Sequence, residues 1–164
     1  MGLKIKKIIN AHSYRIIVDK KNFSYVSITE MIYRESNNNP KFTKREFKNA
    51  YESSIKLLKN LLENGKDVVF DASLCDLSSR KKVMNFIKEK PKFKVYIIQL
   101  KAEPKIIKER IIETYCTHPD KDVTPERGFR LAKNYKKIEK SIEIDSGKLS
   151  PEEIYKKLVN MGIF

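Results

Sequence analysis

The sequence predicts an α/β protein, a three-layer α/β/α sandwich with a mostly parallel central sheet of about five strands. Stretches rich in β-branched and aromatic residues alternate along the chain with stretches of helical periodicity, as expected for parallel strands joined by helices. Residues 68–70, Val-Val-Phe, form a short continuous apolar run, which is typical of a strand covered on both faces. The length of 164 residues fits a single domain, residues 1–164.

The first part of the chain contains three predicted strands, at residues 3–9, 15–18 and 23–28. Each is rich in Ile, Val or aromatic residues. Residues 10–14 separate the first two strands, so residues 3–18 are predicted to add an N-terminal β-hairpin to the parallel sheet. A helical turn at residues 29–34 and a loop at residues 36–40, Ser-Asn-Asn-Asn-Pro, follow.

A long helix is predicted after Thr43. Thr43 and Glu46 form a capping box, apolar residues then recur at helical spacing, and Asn64-Gly65 ends the helix. The rest of the chain alternates in the same way. Strands are predicted at residues 67–71, 94–100 and 141–145, and helices begin at Ser78 or Ser79, Pro104, Thr124 and Ser150.

The chain is strongly basic, with a formal net charge of +14. This charge indicates a polyanionic partner, either a nucleic acid or another phosphorylated molecule. The alternative explanation of this charge is a Lys-rich composition inherited from an AT-rich genome. The predominance of Lys over Arg also does not favour bidentate phosphate recognition.

Composition also bears on the location of the protein. No apolar run is long enough to cross a membrane, and the basic N-terminal residues lack the apolar core of a signal peptide. We therefore expect a cytoplasmic protein with no membrane partner. Cys75 and Cys116 have no zinc-ligand spacing and cannot form a disulfide framework, so they are expected to be reduced thiols.

Asp71 stands where the strand at residues 67–71 must end. In open α/β sheets, ligands bind beyond the carboxyl ends of the strands. A carboxylate there, followed by the small residues Ala72 and Ser73, is placed to bind a ligand or a metal ion. The alternative is that Asp71 only caps the following turn.

The order of these segments resembles the P-loop kinases, the family that includes polynucleotide kinase, zeta-toxin-like kinases and adenylylsulfate kinase. The resemblance covers roughly residues 23–160. It rests on residues 67–73 with the downstream Arg80, on residues 95–100 followed by Ala102-Glu103-Pro104 and Arg110, and on residues 144–146 followed by Ser150-Pro151-Glu152-Glu153. Residues 116–140 correspond to the family's lid, with a helix start at residues 123–126 and Tyr135.

The family's phosphate-binding loop, GxxxxGK[ST], is missing from the sequence. In that loop, glycine amides wrap the phosphates, while the Lys and the hydroxyl contact the phosphoryl group and magnesium. Residues 10–22 contain no glycine and are too few for the loop and its full helix, so residues 1–22 are interpreted as a degenerate N-terminal segment. The candidate substitutes for nucleotide binding are Ser13, Lys20 and Lys21.

The resemblance also implies roles for residues near the predicted strand ends. The family's catalytic acid would fall near Thr29, and Glu30 is the candidate base one residue further on. The arginine that follows this acid would meet Ile32 or Tyr33, with Arg34 displaced from the expected position.

Further charged residues correspond to the family's acceptor, magnesium and lid sites. Asp71 would be the magnesium ligand, and Arg80 would help to hold the phosphate acceptor. Arg110 would be the lid-side arginine. Arg127 and Arg130 would belong to a basic lid helix that contacts ATP in an active kinase or a polyanion in an inactive one. A solvated basic surface for Arg80 and a helix-surface ion pair for Arg110 are the alternatives.

Loss of the phosphate loop removes the positioning and electrostatics on which phosphoryl transfer rests. The leading hypothesis is therefore a catalytically inactive P-loop-kinase-like protein that binds nucleic acid or another phosphorylated ligand and uses no cofactor. One alternative is an active phosphotransferase that uses ATP and magnesium and acts on a polynucleotide 5′-hydroxyl or a small nucleotide-like substrate. The other is a protein-interaction module.

Overall fold

The computed structural model describes residues 3–7, 13–72, 77–88, 93–115, 126, 129, 133 and 138–164. Its strands are β1 (Leu3–Lys7), β2 (Ser24–Ser27), β3 (Val68–Asp71), β4 (Phe93–Lys101) and β5 (Ile142–Asp145). Its helices are α1 (Ser13–Lys21), α2 (Ile28–Glu35), α3 (Lys44–Glu63), α4 (Leu77–Lys88), α5 (Pro104–Tyr115) and α6 (Pro151–Asn160). Over these residues the strands form one sheet in the order β2-β3-β1-β4-β5, and its strand pairings are parallel.

Helices cover both faces of the sheet, and the side chains of β3 alternate between two cores. Val68 and Phe70 pack with Leu58 of α3 on one face. Val69 packs on the other face, with Ile17 of α1 and with residues of α6. Both faces of β3 are therefore buried, which explains its continuous apolar run and confirms the predicted three-layer fold.

The predicted N-terminal hairpin is wrong. Residues 15–18 lie within α1, and β1 is the central strand, paired in parallel with β3 and β4. The segment Arg-Ile-Ile-Val favours a strand by propensity, but burial of Ile17 against the sheet overrides that preference. A chain that leaves one parallel strand and enters another must also cross over the sheet, and α1 provides this crossover.

The capping box predicted at Thr43 begins α3. Thr43 Oγ1 accepts a hydrogen bond from the Glu46 N–H at 3.2 Å, and Glu46 Oε2 accepts one from the Thr43 N–H at 2.7 Å. After α3, Gly65 has a φ of 75°, a left-handed conformation that glycine adopts without strain. With 20 residues α3 is about 30 Å long, and α2 packs against it.

The remaining helix starts agree closely with the sequence. Helix α5 begins at Pro104, and α6 begins after a capping box formed by Ser150 and Glu153, as predicted. Helix α4 begins at Leu77, one residue before the predicted Ser78. The helix predicted from residue 124 lies mostly outside the described residues, and none of the described helices has the length and apolar character needed to cross a membrane.

Glu46 makes the stability of the fold depend on pH. Hydrogen bonds from the backbone N–H groups of Lys41 and Thr43 lower the pKa of the Glu46 carboxyl below its ordinary value of 4.5. The ionised carboxylate therefore stabilises the fold above pH 4.5, and this contribution is lost as the pH falls through the lower pKa of the folded state. We expect Glu46→Gln to lower the melting temperature at neutral pH and to lower it much less at a pH below both pKa values.

Thermal unfolding of the original chain and of Glu46→Gln, at neutral pH and at a pH below both the folded-state and the unfolded-state pKa of Glu46, measures the effect. Glu52→Gln, which removes an exposed carboxylate of the same helix, is the control for general loss of negative charge. A Glu46→Gln effect of equal size at neutral and acidic pH would contradict the assignment.

Candidate functional site

The carboxyl ends of the parallel strands lie along one edge of the sheet, called here the carboxyl edge. Two register pairs define it: Ser27 lies opposite Asp71, and Lys101 lies opposite Asp145. Polar residues therefore end four of the strands at the edge where open α/β sheets bind their ligands. The carboxyl edge is the candidate functional site.

Asp71 is the last residue of β3 and is half-buried. Its Oδ2 accepts a hydrogen bond from the Tyr25 hydroxyl at 2.8 Å. Tyr25 lies on β2, two residues before Ser27, and packs beside the core that contains Ile17 of α1. The carboxylate of Asp71 is thus oriented by Tyr25, on the α1 side of the sheet.

Glu30 reaches the same edge from α2. Ser27 is the N-cap of this helix, and its Oγ accepts a hydrogen bond from the Glu30 N–H at 3.4 Å. The Glu30 side chain is exposed. The structure therefore brings the candidate base Glu30 and the candidate magnesium ligand Asp71 to neighbouring strand ends.

The connection between β1 and α1 is where a phosphate loop would lie. It consists of residues 8–12, Ile-Ile-Asn-Ala-His, which include neither glycine nor lysine, and it lies outside the described residues. A phosphate loop makes its contacts through glycine amides and a lysine. By composition, the residues present do not fit the phosphates of ATP in that way.

The length of α1 separates the three candidate nucleotide contacts. Ser13 begins the helix at the carboxyl edge, whereas Lys20 and Lys21 lie in its last turn, about 12 Å away at the opposite edge. There Lys20 Nζ lies 4.9 Å from the centroid of the Tyr155 ring, in a cation–π contact with α6. The structure therefore brings Ser13, but not Lys20 or Lys21, to the edge where Asp71 lies.

Arg110 of α5 binds the segment that follows β5. Its Nη2 donates a hydrogen bond to the Ser146 carbonyl at 2.8 Å, and its Nη1 donates one to Ser146 Oγ at 3.4 Å. Ser146 in turn donates from its N–H and its hydroxyl to the Lys101 carbonyl, at 2.7 Å and 3.0 Å. Arg110 thus ties α5 to the ends of β4 and β5, and its role as the lid-side arginine stays a prediction.

The remaining candidates lie on α4 and in the lid. Arg80 is in the first turn of α4, on the helix that follows Asp71 along the chain. Arg127 and Arg130 lie outside the described residues. The roles predicted for these three arginines therefore stay predictions.

A cavity of about 450 Å³ adjoins the ends of β4 and β5. Its charged lining includes ion pairs: Lys101 pairs with Glu143, and Lys148 Nζ lies 3.7 Å from Asp145 Oδ2 at its margin. Positive charge in this cavity is therefore balanced by carboxylates. Among the described side chains, no three His, Cys, Asp or Glu residues cluster as a metal site.

Comparison with known proteins agrees with this fold. Among solved structures, a protein from Chloroflexus aurantiacus with a provisional assignment as a kinase is similar, with a TM-score of 0.77 at 10% identity over 98% of each chain. The tunicamycin resistance protein of Deinococcus radiodurans gives 0.67 at 13% identity, over 99% of this chain and 96% of that one. Shikimate kinase from Aquifex aeolicus gives 0.61 at 17% identity, over 96% and 95%.

The amino-acid sequence itself also matches a known family. No curated protein sequence is significantly similar to this chain. The family described as "AAA domain" matches residues 11–136, well over half of the chain. The chain therefore belongs to this AAA domain family, and its fold is that of the P-loop kinases.

Proposed function

We propose that this chain is a P-loop-kinase-like binding protein that does not transfer phosphoryl groups, and that its ligand is nucleic acid or another phosphorylated polyanion. The observation that carries the proposal is the composition of the β1–α1 connection. Residues 8–12 supply neither glycine nor lysine at the point where this fold holds a nucleotide's phosphates. Phosphoryl transfer rests almost entirely on positioning and charge stabilisation, so the loss of these contacts removes the reaction.

The charge of the chain supports a polyanionic ligand. The formal net charge is +14, and many of the described lysines are exposed on the helices. Exposed cations bind phosphates by releasing the counterions condensed on a polyanion, which makes such binding strong at low salt and weak at high salt. Salt dependence is therefore the signature that the proposal predicts.

A second candidate is a phosphotransferase that uses ATP and magnesium and acts on a polynucleotide 5′-hydroxyl or a small nucleotide-like substrate. The specific observation in its favour is that Glu30 and Asp71 share the carboxyl edge, with Asp71 held by Tyr25 at 2.8 Å. In this candidate, Glu30 is the base, Asp71 the magnesium ligand and Ser13 the hydroxyl near the phosphates.

Calorimetric titration separates the two candidates. We expect no heat of binding from ATP with magnesium, and salt-sensitive binding of a short 5′-hydroxyl oligonucleotide or of inorganic polyphosphate. The logarithm of the oligonucleotide affinity should fall linearly with the logarithm of salt concentration, with a slope of about −0.7 for each phosphate contact.

Two results would overturn the proposal. Micromolar ATP binding that Asp71→Asn weakens, together with phosphoryl transfer, would establish the phosphotransferase instead. Asp19→Asn is the matched control for this variant, because Asp19 is exposed on α1 near the opposite edge of the sheet. Absence of binding to every polyanion at low salt would remove the binding function itself.

A further inference from the structure

Three aromatic side chains meet on the surface formed by α2 and α3. Tyr33 of α2 and Phe42 of the α2–α3 connection lie 5.8 Å apart, measured between ring centroids, and their planes meet at 76°. Phe42 and Phe47 of α3 lie 6.2 Å apart with planes at 46°. Phe47 is 39% exposed and the other two rings are half-buried. These three residues are called here the aromatic cluster.

The backbone is strained to hold Phe42 in this cluster. Phe42 has a φ of 50°, in the left-handed region that bulky residues rarely adopt. The residues on either side are fixed, because the backbone N–H groups of Lys41 and Thr43 both donate to the Glu46 carboxylate, at 3.0 Å and 2.7 Å. Strain of this kind persists where the surroundings over-determine it, and it is concentrated at ligand-binding and functional sites.

The segment that carries the aromatic cluster is rich in positive charge. Residues 33–48 contain two carboxylates and five cationic residues, all of which are exposed: Arg34, Lys41, Lys44, Arg45 and Lys48. One of the carboxylates, Glu46, already accepts the hydrogen bonds that hold Lys41 and Thr43. Lys44 precedes Phe47 by three residues on α3 and therefore lies on the same helix face.

We propose that the aromatic cluster and its neighbouring cations bind single-stranded nucleic acid. This inference rests on the proposed function and specifies the class of ligand and the surface that binds it. An exposed ring offers a face on which an unpaired base can stack, and cations beside it contact the phosphates on either side of that base. Bases in a duplex are already stacked on one another, so this surface selects single strands. Phe47 is the stacking residue, and Lys44 is a phosphate contact.

Fluorescence anisotropy with a labelled oligothymidylate of about 12 nucleotides tests the inference on the full chain. Phe47→Ala should weaken binding about 5- to 100-fold, whereas Phe47→Tyr should bind as the original chain does. Lys44→Gln should reduce the salt slope by about 0.7, whereas Lys56→Gln should change it little. Lys56 is the matched control because it is exposed on the same helix, about 18 Å further along.

Inorganic polyphosphate is the second probe, because it carries the charge of a nucleic acid without its bases. Phe47→Ala should leave polyphosphate binding unchanged. Thermal unfolding checks that each variant is folded. Phe47→Leu, which keeps an apolar side chain and removes the aromatic face, should reproduce the loss of oligonucleotide binding.

The outcomes distinguish this inference from the proposed function. If the original chain binds polyphosphate but not the oligonucleotide, or if Phe47→Ala and Phe47→Leu bind the oligonucleotide as tightly as the original chain, the inference fails and the proposed function stands. If the chain binds neither probe at low salt, both fail. Equal loss of both probes in Phe47→Ala would also overturn the stacking role.

Discussion

Replacing Phe70 by alanine is expected to lower the free energy of unfolding by about 3–5 kcal/mol. Phe70 is 1% exposed, lies in the middle of β3 and packs with residues of α3 and α4 in one of the two cores. Removing its ring loses the transfer free energy of the buried atoms, and the sheet and two helices around it can collapse only partly into the cavity. Equilibrium unfolding in urea measures the change.

The matched control is the same substitution at an exposed position. Phe47→Ala removes the same atoms from a ring that is 39% exposed and contacts Phe42, so we expect a loss of no more than about 1.5 kcal/mol. Similar losses at the two positions would show that Phe70 does not lie in a packed core. A large loss at Phe70 alone supports a sheet buried on both faces.

Features that depend on neighbouring residues along the chain could be predicted from the sequence. The apolar run at residues 68–70 predicts a strand buried on both faces, and the structure places it between two cores. The two capping boxes predict the starts of α3 and α6, because a cap is completed within four residues. The parallel architecture follows from the alternation of such local elements.

Features that depend on distant residues could not be predicted. Leu-Lys-Ile-Lys-Lys alternates as a half-exposed strand does, so nothing local marks β1 as the central strand between β3 and β4. Residues 16–18, Ile-Ile-Val, have β-branched side chains, and burial of Ile17 together with the need to cross the sheet makes them helical. The hairpin error arises because strand order is a property of the whole sheet.

The same division applies to the candidate site. The position of Asp71 at a strand end follows from the local pattern, and the sheet confirms that it reaches the carboxyl edge. Its partner Tyr25 is 46 residues away, and the Arg110–Ser146 contact spans 36 residues. Neither pair has a sequence signal beyond the alternation of Tyr25 and Ser27 on one face of β2. The aromatic cluster is likewise formed by a loop folding back on two helices.

The two proposals use different parts of one scaffold. The carboxyl edge carries Asp71, Glu30 and Ser13, whereas the aromatic cluster lies on α2, the α2–α3 connection and the first turn of α3. A nucleic-acid strand bound at the cluster would lie near the carboxyl edge, because α2 begins there, directly after β2. The proposed binding surface does not depend on phosphoryl transfer, since its contacts come from α2, α3 and their connection.

Ile17→Ala is expected to lower the free energy of unfolding by about 2–5 kcal/mol. Ile17 is fully buried in α1, on the face that packs with Val69, Ile98 and Ile144 of the sheet. Ile112→Ala is the matched control, because Ile112 is 52% exposed on α5. This substitution should change the free energy of unfolding by no more than about 0.5 kcal/mol. Urea unfolding of both variants gives the comparison. A small effect at Ile17 would contradict the packing of α1 on the sheet. The expected loss would support it, because Ile17 is a buried residue through which α1 contacts the sheet.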